Sequence, residues 1–126
     1  MPVPNKEEIK QKVDAIISRF VYGDDIERNE AERLRGLERS FGKYRERMDI
    51  SNTEPMQEFL EELRRDIADI NLALIEKVDL EQDERKALIY LKKRIESWLD
   101  FWTGSERRAV ALSHEIDEEH AIKTQD

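Results

Sequence analysis

Apolar residues in this chain recur at three- and four-residue intervals, and no segment alternates apolar with polar positions as a half-buried strand would. Ile9, Val13, Ile16, Ile17 and Phe20 share one face of a helix expected from about Lys6 to Tyr22. Asn5 and Glu8 stand at capping-box spacing at its start, and Gly23 suits a left-handed residue at its end. Asp24 with Glu27 repeats the cap spacing before a second helix, expected from about Asp25 to Met48. Its Leu34, Leu37, Phe41, Tyr44 and Met48 step by 3, 4, 3 and 4, a heptad-type seam. Gly36 and Gly42 interrupt that seam, each at a cost of about 1 kcal/mol against alanine. Near Gly42 the pattern therefore predicts either a kink or a close helix contact.

A loop at residues 49–55 leads to Thr53 as a cap and Pro55 in the first turn of a third helix, expected from about Glu54 to Val78. Met56, Leu60, Leu63, Ile67, Ile70 and Leu74 continue the same stepping. Asn71 falls within the stripe, where a buried amide needs a partner and could fix register between helices; exposure at the stripe's edge is the other reading. Asp79 and Gln82 make another cap spacing, so the third and fourth helices should meet in a short turn and pack antiparallel. The fourth helix is expected from about Leu80 to Thr103, with Leu88, Leu91, Ile95, Trp98 and Trp102 as its seam. Gly104 stops it and Ser105 opens a fifth segment. There Ala109, Leu112 and Ile116 leave only a thin stripe, and residues 113–126 read as a frayed acidic tail. The pattern predicts an all-α fold in one domain over residues 1–126: an elongated antiparallel four-helix bundle with a weaker fifth C-terminal helical segment.

Composition narrows the function. Only 38% of residues are hydrophobic and 41% are charged, with both signs interleaved, so the expected core is lean and the helix faces solvated. A net charge of -8 disfavours phosphate-backbone and anionic-membrane partners for the chain as a whole. The absence of cysteine excludes disulfides and thiolate metal sites. Neither an apolar leader nor a membrane-length run is present, and a cytoplasmic location is the expectation.

Chemistry-bearing patterns are sparse. His114 with Glu118 and Asp117 with His120 have helical i,i+4 and i,i+3 spacing, but a carboxylate-bridged di-metal site needs a second such half, and no other histidine exists. Ser113 and His114 are adjacent and diverge on a helix, so they form no nucleophile–base pair. No phosphate-cradling or dinucleotide glycine motif occurs. Neither enzymatic activity, a cofactor nor a metal is expected.

Two surfaces remain as binding candidates. The segment at residues 88–105 carries both tryptophans. With Leu88 at zero on a helical wheel, Tyr90 and Phe101 fall near about 200° and 220°, off the seam, with Arg94 beside them near about 240°. They either cover a neighbouring helix or form a partner-binding surface. The second candidate is basic. Arg28, Arg35, Arg39 and Lys43 lie within about 80° of one another on the second helix, a stripe able to hold phosphate or an acidic partner. Residues 54–70 carry six acids against two arginines and offer an intramolecular counter-charge.

The leading expectation is a non-enzymatic helical adaptor or regulatory subunit that binds another protein. A homodimer is a further expectation, since a lean helix gains by burying a second face. The alternatives are a nucleic-acid-binding accessory protein using the basic stripe, and a small structural subunit of a larger assembly.

Overall fold

A computed structural model describes residues 3–20, 25–77 and 79–124. Among them the fold is all-α, with no strand and five helices: α1 (Lys6–Ile17), α2 (Asp25–Ser51), α3 (Glu54–Glu76), α4 (Gln82–Thr103) and α5 (Ser105–Lys123). The helices gather in two compact units. One holds α1, α2 as far as Arg47, and α5; the other runs from Met48 through α3 and α4 to Gly104.

Local chemistry explains most boundaries. Asn5 caps α1 as its spacing suggests, its Oδ1 accepting from the Glu8 backbone amide at 2.8 Å. α1 ends sooner than expected, at Ile17, where the Ser18 hydroxyl donates to the Ala15 carbonyl at 2.8 Å. Tyr22, Gly23 and Asp24 lie outside the described residues. α2 runs unbroken through Gly36 and Gly42. A Cβ on Gly42 would meet only the Lys6 side chain, 3.6 Å away at the nearest atom, so the approach there is ordinary packing. Thr53 precedes α3 with extended backbone, but its hydroxyl donates back to the Ile50 carbonyl at 2.7 Å and makes no cap bond. Asp79 does not cap α4 either: the helix begins at Gln82, after Glu81.

In the first unit Ile9, Val13 and Ile16 of α1, Leu34 and Phe41 of α2, and Ala109 and Ile116 of α5 are all fully buried. Each large aliphatic or aromatic side chain so removed from water contributes about 1.5–3 kcal/mol. Leu37, Tyr44 and Leu112 close the margins of this core. The stripe on α5 is thin, as its sequence says, yet it is sufficient: small Ala109 and buried Ser113 let the helix approach its neighbours, and Ile116 fills the space beyond. Residues 113–123 therefore continue α5, where the sequence pattern suggested a frayed tail.

Ion pairs join every pair of helices in this unit. Lys6 meets Glu46, Lys12 meets Asp117 and Arg33 meets Glu119, while Arg35 holds Asp14 at 2.6 Å and Lys123 holds Glu30 at 2.7 Å. Glu30 accepts from Arg33 on α2 and from Lys123 on α5. The Arg33 hydrogen bond, followed by that of Lys123, holds its carboxyl down at about 2 against partial burial.

The second unit is a helical hairpin. α3 and α4, joined through residues 77–81, share a core of Leu60, Leu63, Ile70 and Ile95, with Met56, Ile67, Leu74, Leu88, Leu99 and Trp102 packed at its edges. The Arg85 guanidinium donates to the Leu74 carbonyl at 3.2 Å and ties the two helices near the turn. Asn71 is half-buried with no side-chain hydrogen bond among the described residues, which is the stripe-edge reading.

Candidate protein-docking site

A helix with one neighbour can cover only the sector that faces it. That geometry decides the hairpin's surface. The seam expected on α4 included Leu91 and Trp98, but these are 47% and 48% exposed. The inward line of α4 instead follows Leu88, Ile95, Leu99 and Trp102. Leu91 and Trp98 lie on its flank together with Tyr90, 65% exposed, and Phe101, 40% exposed. Arg94 belongs to the same flank, its guanidinium 5.9 Å from the Trp98 ring centroid, within cation–π range.

α3 adds Phe59, which is 41% exposed and lines a shallow, mainly apolar cleft with Trp98, Phe101 and Trp102. The Phe101 ring meets Trp102 edge-on, centroids 5.0 Å apart, which fixes one wall of that cleft. On a wheel, Phe59, Glu62, Asp66, Asp69 and Ala73 fall within about 80° of one another. One face of the hairpin is therefore aromatic with a cation along α4, and acidic beyond Phe59 along α3. Among the described residues, Glu62, Asp66 and Asp69 have no ion-pair partner. The opposite face carries a smaller aliphatic group near the turn: Leu72 and Ile75 of α3 and Ile89 of α4.

All three residues singled out from sequence, Tyr90, Arg94 and Phe101, thus lie on one exposed flank. Phe59, Leu91 and Trp98 belong with them, although the last two read as seam. The signal was present: Leu91, Arg94, Trp98 and Phe101 step by 3, 4 and 3, a second seam beside the first.

The basic stripe is less open. Arg35 is engaged by Asp14 and, at 2.8 Å, by Glu38; the Asp14 hydrogen bond raises its pKa further and keeps it charged. Arg28 lies 3.7 Å from Asp25. Arg39 and Lys43 are exposed, but the shallow cleft they line also contains Lys6 and Lys10 against Glu7, Glu38 and Glu46. Four cations against three carboxylates leave it nearly neutral. The counter-charges found for Arg28 and Arg35 come from α1 and from α2 itself, where the sequence had suggested α3.

Among the described residues no group of three or more histidine, aspartate or glutamate side chains is placed to hold a metal ion. No described helix is long and apolar enough to cross a membrane. Together these features define an all-α protein whose most distinctive surface is an exposed aromatic helix face. Comparison of the chain with family models, curated proteins and solved structures found no match in any of the three.

Proposed function

We propose that this protein is a non-enzymatic helical interaction module that docks another polypeptide on the Phe59–Leu91–Trp98–Phe101 face of its hairpin. One observation carries the reading: five large apolar side chains, four of them aromatic, remain 40–65% exposed on a single face. Half-exposed side chains of about 200 Å² each leave about 500 Å² of apolar surface, the upper end of what monomeric proteins show in one patch. Tyrosine, tryptophan and arginine are the types that dominate binding energy when a partner desolvates them. The basic stripe gives no comparable support to a phosphate ligand: its cleft at Arg39 and Lys43 is nearly neutral, and in the cleft lined by Arg28, Arg35 and Arg39 the first lies beside Asp25 and the second is engaged by Asp14 and Glu38, while the chain's net charge of -8 opposes such a ligand.

The test is site-specific photo-crosslinking in the cell of origin, with benzoylphenylalanine replacing Phe101 on the face or exposed Glu96 on the other side of α4. Position 101 should give a discrete intermolecular adduct that position 96 does not. Equal labelling from both, or none from 101, removes the docking reading.

A further inference from the structure

We infer that the occupant of this face is a second copy of the same chain, packed so that two hairpins form an antiparallel four-helix arrangement. The inference rests on the docking reading above and names its partner. Three observations lead to it.

The first is the thinness of the hairpin core. Two helices of 23 and 22 residues bury only Leu60, Leu63, Ile70 and Ile95 well. A second hairpin laid on the aromatic face would give each helix another neighbour and convert the flank of α4 into interior.

The second is area. The apolar patch of about 500 Å², with the charged side chains beside it, approaches the roughly 800 Å² per partner of a standard stable interface.

The third is charge. α3 carries seven acids and two bases, a net of -5, while α4 carries four acids and five bases, a net of +1. Two in-plane twofold axes are available to a face-to-face pair. The axis perpendicular to the helices stacks α3 on α3 and sets acid against acid. The axis parallel to them stacks α4 on α3 of the other copy, and leaves every neighbouring pair antiparallel. Only the second is self-complementary. Counting equally back along α3 from Glu76 and forward along α4 from Gln82, Arg94 lies level with Arg64. In the favoured pairing it therefore enters between Glu62 and Asp66 of the second copy. Trp98 and Phe101 lie over Phe59 of that copy, closing both aromatic clefts at once.

The experiment is sedimentation equilibrium of the full chain at about 100 μM, a concentration at which an interface of standard size is populated. The expected mass is twice 15.0 kDa. Trp98→Glu should give a folded monomer with unchanged helical circular dichroism. Ile75→Glu, on the opposite face, should leave the dimer intact. Arg94→Glu and Asp66→Lys should each weaken association about 10-fold or more, and the double variant should recover most of that loss. A monomeric wild type overturns the second-copy assignment. Loss of the dimer with Ile75→Glu, or failure of the charge swap to restore association, overturns the pairing. The docking reading is distinguishable throughout: a monomeric wild type that still crosslinks from position 101 to a different polypeptide keeps that reading and rejects this one. A crosslink closing within a single chain rejects both.

Discussion

The two units of this protein apply the same sequence rule and reach different surfaces. In the first, α1, α2 and α5 converge, each apolar stripe is flanked by two others, and Ile9, Val13, Ile16, Leu34, Phe41 and Ile116 are fully buried. In the second, α3 and α4 have only each other in their shared core, and α4 leaves Tyr90, Leu91, Trp98 and Phe101 in water. The helices of the hairpin are not poorer in apolar residues. Their stripes are wider than one neighbour can cover. A third helix in the first unit turns amphipathic segments into a core, and its counterpart in the second is what a binding partner would supply.

This contrast can be broken most directly in the three-helix unit. Phe41→Ala should destabilise it by about 3–5 kcal/mol in urea unfolding, because the ring is fully buried in the core. A loss under about 1 kcal/mol would mean that the core is not closed as described.

Within the hairpin the contrast becomes a paired measurement. Ile95→Ala should cost about 2–4 kcal/mol, whereas Leu91→Ala, four residues away, should cost less than about 1 kcal/mol at dilutions where the chain is monomeric. Equal costs would place Leu91 inside a covered core and remove the open face.

Acid should act on the first unit through Glu30. The Glu30 carboxyl is held at about 2, below its ordinary value of 4.5. Its stabilisation is therefore complete above that ordinary value, declines as pH falls through it, and is gone below about 2. For a partly solvated network the effect is about 1 kcal/mol after screening. Thermal melts of wild type and Glu30→Gln should differ near neutrality and converge near the low value.

The smallest expected effect tests α2. A Cβ on Gly36 meets nothing within 4 Å, so Gly36→Ala should stabilise the helix by about 0.5–1 kcal/mol, read as a higher urea midpoint. Destabilisation would indicate a close approach at Gly36 that the structure does not show.

Five helical segments were legible in the chain because 3,4 periodicity is a local property, set by the helical repeat whatever packs against it. Asn5 as a cap, the α3–α4 hairpin and the off-stripe position of Tyr90, Arg94 and Phe101 follow from that periodicity and from short-range hydrogen-bonding chemistry. The elements misread are those decided by long-range packing. Leu91 and Trp98 have seam spacing, but whether a seam position is buried depends on how many helices surround it. Asp79 has cap spacing, but α4 begins later, after Glu81; Thr53 stands at the start of α3 as expected, but its hydroxyl donates to the Ile50 carbonyl and caps nothing. The weak stripe of α5 gave no sign that Ile116 completes a core with residues more than seventy positions earlier, such as Phe41.

The order of amino acids by itself determined that this protein is helical and which residues are apolar on each helix. Only the tertiary arrangement decided which of those residues escape water, because burial is a property of the neighbours a helix meets. α5 came to the first unit, while the core shared by α3 and α4 left Tyr90, Leu91, Trp98 and Phe101 exposed, and that difference in packing is what makes one stripe a core and the other a surface.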